Sequence, residues 1–387
     1  MKILIITYSR EVNPGTFLQA YGVQYVLRQM FPEARIDLLK HKRLYGLSGQ
    51  QKGRPTPKVK KDWCWLKGRL LAIPRRIKYE WNYARKFHFP KFEFDFFDYD
   101  QNEFRKFAEN YDLIVVGSDT ILIDLKRNNH FGLMWLLNVR ANKALFAASA
   151  APANYEISRD EADLLKQSFS TFKLLSVRDS VTYNLLAEKI GVARDVQKIF
   201  DPTYLIPSSE FHFPYWMGRK LQNVAKKQKI ALVNFGNAFE KKKCITEYLK
   251  KCGYFAIATH YNQWADMNIM TLSPFEWAAL YQYVDLTVTE RFHDCVFSLR
   301  NNKPVVAIDW APSRFASDGS SKLTDLLNEY DLMDLHYNDR RNDDIKVLFN
   351  IIENVNDVFN FDLCKSMNEK ISESYSRLKD ELFRNID

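Results

Sequence analysis

Cysteine is scarce in this 387-residue chain: there are five, Cys64, Cys244, Cys252, Cys295 and Cys364. They are scattered, odd in number and never spaced as CxxC, which argues against both a disulfide framework and a cysteine-based zinc site. Isolated thiols of this kind read as small buried apolar residues. Long apolar runs are missing too, and none approaches the ~18 residues of a membrane span. The opening "MKILIITYSR" is too short for the apolar region of a signal peptide and lacks a small-residue cleavage site. It reads as the first buried strand of a cytoplasmic protein. No GxGxxG follows that strand, and there is no Walker loop, HExxH or GxSxG, so dinucleotide, ATP, zinc-protease and esterase chemistry lack support. No DxD closes a strand, which disfavours a metal-dependent nucleotide-sugar transferase. Neither a metal nor a cofactor is expected. Internal repeats and low-complexity tracts are also absent.

What is present suits a folded protein. Hydrophobic residues make up 46% and charged residues 27%, enough apolar content for a packed core. At ~100–200 residues per domain, the length suggests two domains. The net charge of +9 is concentrated in one place. Residues 42–91 hold 15 Lys and Arg against Asp62 and Glu80, a local +13, while the remainder is about −4. That segment interleaves aromatics, as in "WCWLKGRLLAIPRRIKYEWNYARKFHF". It reads either as a solvated insertion or as a site of attraction for an anionic membrane surface or a lipid-linked phosphate. Nucleic acid would leave a similar footprint, but no recognition motif accompanies the patch, and no nucleic-acid partner is expected.

The patterning predicts two successive β-α-β series. In the first, "KILIIT", "ARIDLL", "YDLIVVGSD", "KALFAASA" and "LLSVRDS" read as strands, and "TFLQAYGVQYVLRQMF" has apolar residues at helical spacing. A helix is expected around Trp63–Ile73, broken by Pro74. A basic linker around Gly218–Lys229 leads to a second series: "KIALVNFG", "YFAIATH", "DLTVTERFH" and "KPVVAID", separated by helices. The expected fold is α/β, with two doubly wound Rossmann-like domains facing a cleft. Their bounds are 1–215 and 225–365, with a terminal helix over 366–387.

In such sheets ligands sit at the carboxyl ends of the strands. Those ends carry Asn13, Gly15 and Thr16, then Gly117-Ser118-Asp119, Ser149, Arg178-Asp179, and Glu290-Arg291-Phe292-His293-Asp294. Arginine forks suit bidentate binding of phosphate or carboxylate. A helix starting just after Arg291 would add backbone donors. The expectation is a small anionic ligand in the cleft. Each residue also has a structural reading. His293 would then only donate to a neighbour, Arg178 would pair with Asp179, Asp119 would cap a helix, and His130, in "KRNNHF", would sit in a solvated loop.

Six segments in order give the chain a resemblance to the polysaccharide pyruvyl transferase family: "NPGTFLQAYGVQYVL", "YDLIVVGSD", "KALFAASA", "LLSVRDSVTYNLL", "FDPTYLI" and "ERFHDCVFSLRNNKPVVAI". The resemblance implies a glycosyltransferase-B-like fold and transfer of pyruvate from the co-substrate phosphoenolpyruvate to a sugar hydroxyl pair as a ketal, in surface polysaccharide biosynthesis. It implies donor binding and catalysis at Arg291 and His293, with His293 as general acid and Arg178 as a second donor ligand. Ser118, Asp119, Asn13, Gly15, Thr16, Gln19, Ser149 and His130 fall to the acceptor side. A lipid-linked acceptor would place the protein peripherally on the inner face of the membrane, held through residues 42–91. Two departures from the family pattern stand out: Thr120-Ile121-Leu122 replaces Gln-x-Trp after Gly-Ser-Asp, and Asp294 replaces a glycine after the histidine. The rival readings are a nucleotide-sugar glycosyltransferase and a non-catalytic polysaccharide-binding relative.

Overall fold

Strands built from near-continuous apolar runs are buried on both faces, which is the condition of a parallel sheet covered by helices. The computed structural model has two such sheets. It describes residues 1–9, 12–41, 70–94, 100–122, 136, 139–154, 156–192, 195–236, 238–342 and 344–386. The first sheet comprises β1 (Lys2–Ile6), β2 (Arg35–Leu38), β3 (Leu113–Val116), β4 (Asn142–Ala148), β5 (Leu174–Val177) and β6 (Gln197–Lys198), in spatial order β2-β1-β3-β4-β5-β6. The second comprises β7 (Ile230–Asn234), β8 (Phe255–Ala258), β9 (Met267–Asn268), β10 (Leu286–Thr289), β11 (Val305–Asp309) and β12 (His336–Asn338), ordered β9-β8-β7-β10-β11-β12. All neighbours in both sheets run parallel; Ile5 pairs with Val115 in the first, and Val288 with Val233 in the second. These are the two doubly wound domains that the sequence predicts.

Six helices position the site. They are α1 (Pro14–Met30), α2 (Ile73–Lys86), α3 (Pro274–Leu280), α4 (Phe292–Arg300), α5 (Lys322–Glu329) and α6 (Phe361–Ile386). Asn13 caps α1 by accepting from the Gly15 N–H, and Pro14 occupies the first turn, where a missing N–H costs nothing. Residues Pro14 to Gln24 of α1 are all buried, because the second domain covers the face that the first sheet leaves open. Phe275 of α3 meets Phe17 at 5.6 Å and Tyr21 at 5.0 Å, both edge to face. Arg300 of α4 donates to the Thr203 and Ile206 carbonyls of the first domain. The last helix, α6, crosses back: Asn368 donates to the Leu299 carbonyl, and the Tyr375 hydroxyl donates to that of Phe200.

Leu70 and Leu71 are helical and Ala72 is a turn, so one helix ends just before Pro74, which sits in the first turn of α2 from Ile73; residues 63–69 lie outside those described. One expectation is corrected. The basic stretch from Gly218 is not an open linker. It belongs to a helix, Tyr215–Ala225, anchored by buried Met217, Gly218 and Leu221.

Candidate active site

The carboxyl ends of both sheets open onto one crevice with a cavity of about 420 Å³. Its first-domain wall is the N-terminus of α1 (Asn13, Gly15, Thr16) together with Asp119 and Arg178. Its second-domain wall is the turn from β10 into α4, with Arg291 and His293. The apolar strand Leu286–Thr289 is followed by charge because the chain there leaves the sheet and enters the cleft.

Arg291 is the residue just before α4, and its backbone N–H donates to the Thr289 hydroxyl. The Nε of its guanidinium is buried without an acceptor. Burial lowers its pKa, and the neighbouring Arg75 and Arg314 charges add to that against Asp294 and Glu290. Those two carboxylates are occupied elsewhere. Asp294 accepts from the Tyr281 and Thr289 hydroxyls, both at 2.7 Å. Glu290 accepts from the Gly236 N–H and the Trp310 indole and pairs with Arg314 at 2.9 Å. Asp294, where the resemblance leads one to expect glycine, therefore braces the β10–α4 turn. Burial raises its pKa, against the Arg291 charge.

His293 bridges the two walls. Its Nε2 stands 3.6 Å from Asp201 Oδ2, and its Nδ1 lies over Gly15, where a Cβ would come within 2.1 Å of it. Only glycine at this helix start lets the imidazole approach. Asp201 is buried, which favours the neutral acid, yet the neighbouring His293 imidazole and the Arg178 charge hold its carboxyl well below the usual range.

Arg178 differs from expectation. It pairs with Asp201 at 2.6 Å, not with Asp179, and donates to Gln19 Oε1 at 3.0 Å. Asp179 instead caps the following helix through the Thr182 N–H and hydroxyl. Its guanidinium is thus held against a buried carboxylate and stands 3.8 Å from Asp119, while its Nε is buried without an acceptor in the cavity wall. The sequence could not show this, because Asp201 is 23 residues further on.

Asp119 reaches the cavity, where it accepts from Thr120 and, at 3.4 Å, from the Thr16 hydroxyl; it caps a turn, not a helix. Three acceptor candidates lie behind the wall. Ser118, Ser149 and Gln19 are fully buried, and Ser149 accepts from the Ala151 N–H. His130 lies outside the described residues.

Several cavity residues escaped the sequence reading. Lys322 opens α5, faces the cavity, and has no carboxylate within ion-pair distance among the described residues. Burial and the Arg178 charge push its pKa down to about 8, against Asp119 and Asp179. His260 and Trp277 also line the cavity. A lone lysine or histidine in a polar stretch carries no sequence signal; the strand-end rule would have found His260, which follows β8. No group of three or more metal-ligating side chains comes together among the described residues.

Two Rossmann-like domains facing a crevice define the glycosyltransferase-B class of architecture. A model of the family described as polysaccharide pyruvyl transferase matches residues 13–312, and the chain belongs to that family. No curated protein matches the chain. Among solved structures, the UDP-GlcNAc 2-epimerase of Neisseria meningitidis bound to UDP-GlcNAc superposes with a TM-score of 0.54 at 11% identity, covering 100% of both chains. A further UDP-N-acetylglucosamine 2-epimerase gives 0.53 at 9% identity, covering 95% of this chain and 90% of the other. The Methanocaldococcus jannaschii UDP-GlcNAc 2-epimerase in complex with UDP-GlcNAc and UDP gives 0.50 at 11%, covering 96% and 100%. These likenesses concern the fold alone.

Proposed function

We propose that the protein transfers pyruvate from phosphoenolpyruvate to a pair of sugar hydroxyls as a ketal, at the crevice between its domains. One observation carries the reading: Arg291 and His293 lie side by side in the cavity, the first with a buried nitrogen lacking an acceptor and the second backed by a carboxylate. Phosphoenolpyruvate carries a carboxylate and a phosphate. Arg291 takes one and Lys322, replacing Arg178 in that role, takes the other. With Nε2 turned to Asp201, His293 delivers its proton from Nδ1 to the methylene carbon. C2 becomes electron-poor, and a sugar hydroxyl attacks it and gives up its proton. The C2–O bond to phosphate breaks, and a second hydroxyl closes the ketal. Asp201 steadies the imidazolium before transfer. The acceptor side is the α1 N-terminus with Asp119, whose carboxylate and the Thr16 hydroxyl suit sugar hydroxyls.

The test is incubation with phosphoenolpyruvate and a panel of lipid-linked and nucleotide-linked sugars, following phosphate release and product mass. Stabilisation by nucleotide sugars and not by phosphoenolpyruvate in a thermal-shift screen would favour a glycosyltransferase instead.

We also propose attachment to an anionic membrane surface. Its support is the outer face of α2, where Ile73, Ile77 and Trp81 are 51%, 65% and 56% exposed in a segment of high positive charge. No helix among the described residues is long and apolar enough to cross a membrane.

A further inference from the structure

Helix α2 is two-faced, and its inner face matters to the crevice. Arg75, Tyr79, Asn82 and Tyr83 are its buried residues, at the i, i+4, i+7, i+8 spacing of one helical stripe. Arg75 is 5% exposed, although it comes from the most basic stretch of the chain. Its Nη1 donates across the domain boundary to the Thr259 carbonyl at 3.2 Å, and its guanidinium lies 5.5 Å from the Tyr79 ring centroid. Its Nε and Nη2 are buried without acceptors. The residue after Thr259 is His260, which lines the cavity.

Three further groups at this end are short of partners or charge. Arg291 Nε has no acceptor, and neither does the Trp277 indole N–H, in a side chain only 2% exposed. Burial, then the Arg291 and Arg75 charges, hold His260 well below its ordinary pKa. It is therefore neutral at pH 7 and has one N–H to offer. Among the described residues no carboxylate lies within ion-pair distance of Arg75 or Arg291. A buried guanidinium and a second with a buried Nε, each within the other's field, are costly when empty. An oxyanion placed among them would supply acceptors to N–H groups that lack them.

We propose that Arg75, carried in from the first domain by α2, completes with Arg291, His260 and Trp277 a buried subsite for a phosphoryl group. The subsite deepens the reading above and rests on it in one respect: the group bound is taken to be the donor's phosphate. The donor's carboxylate then falls to Lys322.

Inorganic phosphate is the direct probe, with titration calorimetry of the full chain as the readout. Losing a hydrogen bond to a charged group should weaken phosphate binding about 10- to 100-fold in Arg75→Met. Arg75→Lys, which keeps the charge without the fork, should fall between. In the wild-type protein, phosphate should slow amide exchange in peptides covering Ile73–Lys86 and Phe255–Asn262, a measurement that requires no variant to fold. Unchanged phosphate affinity in a folded Arg75→Met, or no protection of those peptides, overturns the subsite. Phosphate release from phosphoenolpyruvate by the wild type tests the donor reading separately. Phosphate binding lost in Arg75→Met without any turnover of phosphoenolpyruvate supports the subsite and removes the donor. Normal turnover with an unchanged KM in Arg75→Met removes the subsite and keeps the donor.

Discussion

Gly15 and His293 compete for one volume: a methyl group at position 15 would lie 2.1 Å from His293 Nδ1. Real Cβ contacts are never that short, so Gly15→Ala must displace the imidazole. Under the proposed chemistry, His293→Gln lowers kcat by about 10²–10⁴-fold. Gly15→Ala should lower it at least ~10-fold with the fold intact, and should add little when combined with His293→Gln, since both act through one side chain. Additive losses in that double-mutant cycle would show that Gly15 serves something other than the ring.

The Arg178–Asp201 pair makes a prediction about stability. Arg178→Met leaves a buried carboxylate uncompensated, a loss of about 3–5 kcal/mol for pairs of this kind. The pKa of Asp201 is depressed in the folded state. Its contribution is therefore present above the ordinary carboxylate value of ~3.9 and drains away as pH falls below it. Thermal unfolding followed from pH 3 to 7 should show an acid limb that flattens in Asp201→Asn. A stable Arg178→Met with only a raised KM for phosphoenolpyruvate would return Arg178 to the donor site.

The sheets were legible in the sequence because their strands are runs such as "LIVV" and "VVAI", apolar throughout, bounded by Gly, Asp or Pro. The crevice was legible at Arg291 and His293, where charge follows such a strand directly. Partners brought together by folding were not. Asp201 sits in "FDPTY", which reads as an exit from the domain; it meets Arg178 only because β5 and β6 lie side by side. Arg75 shares a basic run with residues that face solvent, and burial separates it from Arg76 next door. Charge counting assigned the whole of 42–91 to one surface. The structure divides its described part into an outward apolar face and an inward face, where Lys78 also pairs with Glu276 at 2.6 Å.

Lys322 gives the donor site a pH dependence. With its pKa pushed down to about 8, it is charged below that pH and neutral above. An anionic donor needs the charged form, so KM for phosphoenolpyruvate should rise as pH passes upward through about 8. Bound anion favours the ammonium, so kcat should change less. In Lys322→Gln the KM should be high at every pH and the rise near 8 should vanish. Persistence of the same rise in Lys322→Gln would assign it to another group.

The outer face of α2 is the place to test membrane attachment. Ile73, Ile77 and Trp81 recur at helical spacing, and the Arg85 guanidinium lies 4.2 Å from the Trp81 ring. An apolar stripe beside cations is suited to the boundary between headgroups and acyl chains. Vesicles containing anionic lipid should therefore sediment with the protein, and neutral vesicles should do so far less. Exposed charges are screened beyond ~10 Å at 0.1 M salt, so raising salt should weaken the association while leaving the apolar part. Ile77→Asp puts a like charge against the anionic surface and removes an apolar contact at once, and it should abolish sedimentation without lowering turnover of a water-soluble acceptor. The position is 65% exposed, so the substitution costs the fold little. Sedimentation that ignores salt, lipid charge and Ile77→Asp alike would mean that α2 faces water and nothing else.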